Sequence, residues 1–299
     1  MILTLQIDQD GIRLDSYLKS QLSGHSRAYL QKLIGDGLVT LSGKPLKPSW
    51  KTVAGQTVDI VVPDPEPSRL EAENIPLDVI YEDDWLLVIN KPQGMVVHPA
   101  AGHRSGTLVN ALLNYCAGQL SDLNGIIRPG IVHRIDKDTS GLILVVKDNQ
   151  VHAQVADKIR RHEIRRTYLA VVYGQVAAES GTIDAPIGRD PRNRQRMAVI
   201  SGGKPSVTHF RVLQRFGQAT LLEADLESGR THQIRVHLQY IGHPVIGDPV
   251  YAPGRKNYGL SGQALHARAL TFEHPVNGRT IALECPLPDY LTALLESLS

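Results

Sequence analysis

The sequence predicts an α+β protein in two parts: a small helical and β-hairpin domain, then a larger domain whose central, largely antiparallel sheet is flanked by helices. Three features point there. An acidic, proline-bearing stretch divides the chain near residues 63–75. Helical spacing and then short alternating strands precede it. After it, apolar runs of strand length dominate, joined by many short Gly- and Pro-punctuated connections, and short connections favour antiparallel pairing.

In the first part, Leu14 and Leu18 stand four apart with Leu22 one turn on. Ser26 can cap a second helix striped by Leu30, Leu33 and Ile34, which Gly35 and Gly37 end. Leu38–Leu41 reads as a strand, Ser42-Gly43-Lys44 as a turn, and Thr57–Val62 as a strand with Val58, Ile60 and Val62 alternating. The first domain is placed at residues 1–65. PDPEP (63–67) opens a linker assigned to 66–78, because proline forbids regular structure and the charges stay in water. Residues 79–299 form the second domain. There Val79–Tyr81 and Leu86–Ile89 read as strands, and Thr107 can cap a helix that puts Leu108, Ala111, Leu112 and Tyr115 on one face. Gly141–Lys147 reads as a fully buried strand, and Val151, Val155 and Ile159 mark a helix. Tyr168–Tyr173, Val207–Leu213 and Ala219–Leu226 follow as strands, then His232–Ile241 as a helix.

Composition narrows the function. The 299 residues carry 32 Lys+Arg against 30 Asp+Glu and are 42% hydrophobic, which excludes disorder, a collagen-like chain and a polycation. Cys116 and Cys285 are too few for a disulfide framework or a Cys-rich zinc module and fit a reducing compartment. No basic patch followed by an apolar run opens the chain, and apolar runs such as Leu142–Val146 are far short of a membrane span. The expectation is a cytoplasmic protein without membrane contact and, with no coiled-coil or apolar interface pattern, a monomer. Charge is uneven: residues 11–62 are net +4, residues 63–84 net −7 and residues 158–168 net +4. Basic blocks of this kind suit a polyanion, since each neutralised phosphate releases counterions.

His133-Arg134-Ile135-Asp136-Lys137-Asp138-Thr139-Ser140-Gly141 is the densest chemical cluster, set just before the buried strand. Such a loop can hold a charged group partly out of water, where reactivity is tunable. On composition alone, a polar turn whose Asp and Thr cap the backbone is the simpler reading. His232 and His237 are five apart, off one helical face, and the other histidines are scattered, so no metal is assigned. Gly202-Gly203-Lys204 lacks the rest of a phosphate loop and reads as a turn.

Several motifs resemble known families. RLDSYL…SRAYLQKLIGDGLVTLSG resembles the S4 RNA-binding module over residues 12–62; the resemblance implies phosphate contacts by Arg13, Arg27 and Lys32. HRIDKDTSGL, NKPQGMVVHPAAG (90–102), RRTYLAVVYG (165–174), LESGRTHQIRVH (226–237) and ALHARAL (264–270), in that order, resemble the RluA family of pseudouridine synthases through residues 79–299. The stretches RRHEIRRTY, IGRDPRNRQRMAV and GDPVYAPGR are most similar to its RluD-type branch, whose members modify large-subunit ribosomal RNA. Arg166 stands where many relatives carry Lys, and Ile135 where Leu is common. The resemblance implies a catalytic Asp136, acting as nucleophile or as base at the ribose, with Arg235 as its bidentate cation. It implies Tyr168 and Ile234 against the uracil and Arg134 in the place vacated by a flipped-out uridine. Arg230 and the cluster Arg160, Arg161, Arg165 and Arg166 would hold phosphates. Neither metal nor small-molecule cofactor is implied; the partner is ribosomal RNA or the assembling large subunit, with tRNA as the alternative substrate. Two other classes remain to be weighed: a non-catalytic RNA-binding assembly factor, and a glycosidase using Asp136 and Asp138 as a carboxylate pair.

Overall fold

A computed structural model describes residues 2–22, 27–62, 70–99, 103–123, 129–193 and 196–299, with the backbone alone at 27 and 28. Ser26, the PDPEP stretch and the Arg27 side chain therefore lie outside the described residues. The chain divides into two compact units, Met1–Ser68 and Arg69–Ser299.

The first unit contains β1 (Ile2–Gln6), α1 (Leu14–Gln21), α2 (Arg27–Gly35), β2 (Val39–Leu41), β3 (Lys44–Pro45) and β4 (Thr57–Val61). The expected hairpin is part of a four-stranded antiparallel sheet ordered β1-β4-β2-β3. Ser42 and Gly43, both at positive φ, make the two-residue turn between β2 and β3. The leucines predicted for α1 and α2 close the core: Leu14, Leu18 and Leu30 are fully buried with Val39, Val58 and Ile60. β1 went unpredicted because Ile2, at one end of its alternation, is exposed.

The second unit begins earlier than expected. Residues 70–78, assigned to the linker, already belong to it. Leu70 and Leu77 pack on its core, Asn110 Nδ2 donates to the Glu71 carbonyl, and Glu73 accepts from the Gly106 N–H. The Glu73 carboxylate serves a hydrogen bond within the unit, which a charge count cannot distinguish from a solvated linker.

Its elements are β5 (Val79–Glu82), β6 (Leu86–Lys91), α3 (Leu108–Tyr115), β7 (Ser140–Val146), α4 (Asn149–Arg160), β8 (Arg165–Tyr173), β9 (Ser180–Asp184), β10 (Ile187–Arg189), β11 (Met197–Val199), β12 (Val207–Arg215), β13 (Ala219–Leu226), α5 (Gln233–Tyr240), β14 (Leu265–Glu273), β15 (Thr280–Glu284) and α6 (Asp289–Leu298). The main sheet runs β5-β6-β7-β14-β8-β13-β12-β9, with β15 also on β14. It is antiparallel except where β7 and β14 run parallel through His266↔Ser140 and Ala267↔Gly141. β9, β10, β11, β14, β15 and α6 were not foreseen from periodicity. β14, in the middle of the sheet, carries His266 and Arg268 among its apolar residues and so breaks a simple apolar pattern. Tyr115, expected on the inner face of α3, is exposed, and its hydroxyl donates to Glu82. Among the described residues, no helix is long and apolar enough to cross a membrane.

β7 is buried over its whole length because it faces core on both sides. Leu142, Leu144 and Val146 join one cluster with Leu86 and Val88; Ile143 and Val145 join another with Leu87 and Ile89. Gly141 has φ +105, and a Cβ there would sit 2.3 Å from the Ala267 carbonyl oxygen. Only glycine permits that approach of β7 to β14. The chemical loop is thereby anchored where the two parallel strands meet.

Candidate active site

The loop before β7 folds as a tight turn, with Thr139 N–H donating to the Asp136 carbonyl at 3.1 Å. A second segment grips it. Lys91, fully buried at the end of β6, donates from Nζ to the carbonyls of Pro92 (2.7 Å), Met95 (2.9 Å) and Lys137 (3.0 Å). Burial pushes the Lys91 amine down to about 7, against the pull of Asp138 and Asp136. Gly94 N–H also donates to the Lys137 carbonyl, and Gln93 Nε2 to that of Asp138. From the loop before β14, Gln263 Nε2 donates to Thr139 Oγ1. The turn sends Asp136 and Asp138 apart: Asp136 lines the main pocket, whereas the Asp138 side chain packs where a Cβ on Gly262 would fall. A carboxylate pair flanking one bond, the basis of the glycosidase alternative, is therefore not built here.

Arg235 enters from α5. Its Nη1 donates to Asp136 Oδ2 at 2.7 Å. The expected two-pronged Asp136–Arg235 pair is corrected by the structure, because the fork of Arg235 is spent on a second carboxylate. Nε donates to Asp248 Oδ2 at 2.6 Å and Nη2 to Asp248 Oδ1 at 3.0 Å. Asp248 is itself buried and also accepts from the Val250 and Tyr251 N–H groups. Burial disfavours a charged guanidinium, but the Asp248 hydrogen bonds and the charges of Asp136 and Asp248 outweigh it and hold Arg235 above the usual arginine range. Arg235 thus meets Asp136 already oriented.

His232, the residue before α5, has the left-handed conformation φ 59, ψ 21. Such strain in a non-glycine residue collects at functional sites. Its Nδ1 lies 2.9 Å from the Tyr251 hydroxyl, which accepts from Met197 N–H. With the Tyr251 hydroxyl donating to Nδ1, the imidazole proton sits on Nε2, which lies 3.9 Å from Asp136 Oδ1. Burial holds His232 below the usual histidine range despite Asp136 nearby. Asp136 is thus faced by a cation at one oxygen and a neutral imidazole at the other.

These groups open into a pocket of about 540 Å³ including its mouth. Tyr168, on β8, and Ile234, on α5, are buried in its wall. Tyr168 pairs in register with Ala224 on one side and Ala267 on the other, so small neighbours leave room beside its ring. Among the described residues its hydroxyl has no hydrogen-bond partner, and burial pushes the phenol up, so it keeps its proton. A carboxylate on an oriented cation beside an aromatic face suits a flat polar ring.

Comparison with known proteins decides the class. The RNA pseudouridylate synthase family matches residues 85–240, which span the loop, Tyr168 and Arg235, and the S4 domain matches residues 12–58. An uncharacterized RNA pseudouridine synthase of Bacillus subtilis (strain 168) is 49% identical over 296 residues, covering 99% of this chain and 97% of its own. The chain belongs to the RNA pseudouridylate synthase family. A ribosomal large subunit pseudouridine synthase D of Zymomonas mobilis is 44% identical over 306 residues (99% and 96% covered), and one of Neisseria meningitidis serogroup A is 43% identical over 309 residues (99% and 81%). The human RNA pseudouridylate synthase domain containing 1 structure shares the fold at TM-score 0.58 and 24% identity, covering 78% of this chain and 97% of that one.

In the synthase the basic residues separate into paired and unpaired groups. Arg165 forms a two-pronged pair with Asp225, and Arg160 and Arg161 both bond Asp157. In the S4 unit Arg13 bonds the buried Asp15 through Nε and Nη2, while Lys32 is exposed. Arg134 is exposed at the pocket mouth, and Arg230, also there, donates to the Pro205 carbonyl. Arg166 is only 6% exposed, in the pocket wall. Lys91, Asp248, His232 and Tyr251 were not foreseen as site residues. Lys91 and His232 lie within quoted motifs, and Asp248 and Tyr251 within GDPVYAPGR, but only tertiary contact reveals what each holds. His237 is buried, bonded to Thr208 and to the Ala185 carbonyl.

Proposed function

We propose that this synthase converts specific uridines of large-subunit ribosomal RNA to pseudouridine, with Asp136 as the group that acts at the ribose. The reaction breaks the N1–C1′ bond, turns the uracil and rejoins it through C5; N1 ends protonated and C5 gives up its proton, so atoms balance without redox chemistry. The observation that carries the catalytic reading is the Asp136–Arg235–Asp248 chain opening into a pocket walled by Tyr168 and Ile234. Arg235 holds Asp136 aimed without turning to meet substrate, which is preorganisation. Tyr168 stacks on the flipped uracil with its hydroxyl toward the C5 proton, and Ile234 excludes water. Arg134, exposed and, among the described residues, without a partner, enters the vacated stack. Cytoplasmic RNA is the setting in which such an enzyme works.

The ribosomal target is supported by the full-length relatives of Zymomonas and Neisseria, whose names specify the large subunit and whose matches include the S4 unit. Pseudouridine mapping on rRNA and tRNA from a deletion strain, complemented with wild type or with Asp136→Asn, tests both parts. Sites should disappear from 23S rRNA and return with wild type alone. Return with Asp136→Asn would refute the role of the aspartate; loss confined to tRNA would refute the target.

A further inference from the structure

A second depression adjoins the catalytic pocket. It encloses about 890 Å³ including its mouth. Arg134, Arg166 and Arg230 line both spaces, so the two share a wall. Among the described residues, no aspartate or glutamate lines the second one. Val132 at the loop and Ala156 and Ile159 on α4 give it an apolar side.

Two buried donors in this wall have no acceptor among the described residues. One is Nε of Arg166, a side chain more than nine-tenths buried. Its guanidinium lies against Gly229, where a Cβ would come within 3.0 Å of Nη1. The other is Nδ1 of His133. His133 Nε2 accepts from the Leu144 N–H, and burial beside the Arg166 charge pushes the ring down to about 3. The ring is therefore neutral with its proton on Nδ1. Buried donors are almost always satisfied in native proteins, so the open pair marks a wall whose positive charge the described residues leave unanswered, beside a depression lined by Arg134, Arg160, Arg166 and Arg230. The required ligand is anionic, acceptor-rich and flat on one side, which describes a nucleotide.

We propose that this depression is a second nucleotide subsite that takes the residue next to the target uridine in the RNA. Its phosphate lies between Arg166 and Arg230, and its base rests on Val132, Ala156 and Ile159. The shared wall fixes why the occupant is a neighbour of the target: two nucleotides of one strand straddle Arg166. The inference rests on RNA being the substrate.

Ala156 is exposed on α4, so replacing it leaves the core intact. The test measures binding of an RNA fragment around a mapped uridine, intact or with either neighbouring nucleotide reduced to an abasic ribose. Wild type should bind one abasic fragment at least about tenfold more weakly. Ala156→Trp, which fills the depression, and Ala156→Glu, which adds a negative charge, should weaken the intact fragment by a similar factor. Ala156→Trp should no longer distinguish intact from abasic RNA. Gln154→Glu, exposed on α4 outside the depression, should match wild type. Wild-type affinity in both Ala156 variants, or an abasic penalty that survives in Ala156→Trp, overturns the subsite alone. A wild type that makes no pseudouridine in rRNA or tRNA overturns the functional reading and the subsite with it.

Discussion

Arg235 and Arg166 stand on two walls of the same pocket, both almost buried, and they are opposites. Arg235 has a carboxylate on each side, and its Nε, Nη1 and Nη2 each donate to one of them. Arg166 has, among the described residues, no carboxylate and an idle Nε. A buried cation held by two carboxylates is fixed in place, whereas Arg166 leaves its charge unanswered among the described residues. The same contrast sorts the surface: Arg160, Arg161 and Arg165 hold acids of the chain itself, whereas among the described residues Arg134 holds none.

Opening the closed side is the sharpest way to break that contrast. Asp248→Ala leaves Arg235 with Asp136 alone, and losing one partner of a buried pair costs about 3–5 kcal/mol of stability. The misaimed guanidinium should also slow single-turnover conversion roughly 100-fold; a variant with wild-type rate and melting temperature would show that Asp248 is a bystander. Lys91→Met tests a second closed cation, whose partners are all carbonyls. Leaving those acceptors unmet should cost roughly 2–3 kcal/mol by denaturant titration. Its pH signature has a definite sign. The folded amine, near 7, lies below the unfolded value of 10.5, so between those values the unfolded chain binds the extra proton and stability rises with pH. Lys91→Met should flatten that rise, and an unaltered slope would contradict the burial effect. On the open side, Arg230→Ala should weaken RNA binding across sequences and lower the salt slope of log K by about 1. The smallest effect belongs to Arg165→Ala: an exposed ion pair with Asp225 is worth under about 1 kcal/mol, and the change in RNA affinity should be smaller than for Arg230→Ala.

The sequence was most legible where chemistry is contiguous. HRIDKDTSGL and the helix with Arg235 could be read because each motif is local, and β7 because five apolar residues in a row have to be buried. The partners that make the site work were hidden because they arrive from elsewhere in the chain. Lys91 reaches 46 residues ahead to the Lys137 carbonyl, and Asp248 competes for the fork that the motif alone assigned to Asp136. Charge counting failed at residues 70–78 for a related reason: Glu73 looks solvated in sequence but accepts a backbone N–H of the large unit. β1 and β14 were lost where exposure or polar residues interrupt alternation although the backbone still pairs.

Directly behind the Asp136 turn, Ser140 Oγ bonds His266 Nδ1 and the Tyr290 hydroxyl, and Cys285 Sγ lies 3.3 Å from His266 Nε2. Burial pushes the Cys285 thiol up to about 11, so in the closed protein it is neither exposed nor ionised near neutral pH. Its labelling rate by a thiol reagent is therefore a clock for how often the seam between β7 and β14 opens. A bound RNA that slows this clock would be bracing the sheet from the other side of Asp136, and a native thiol would report it without an added probe.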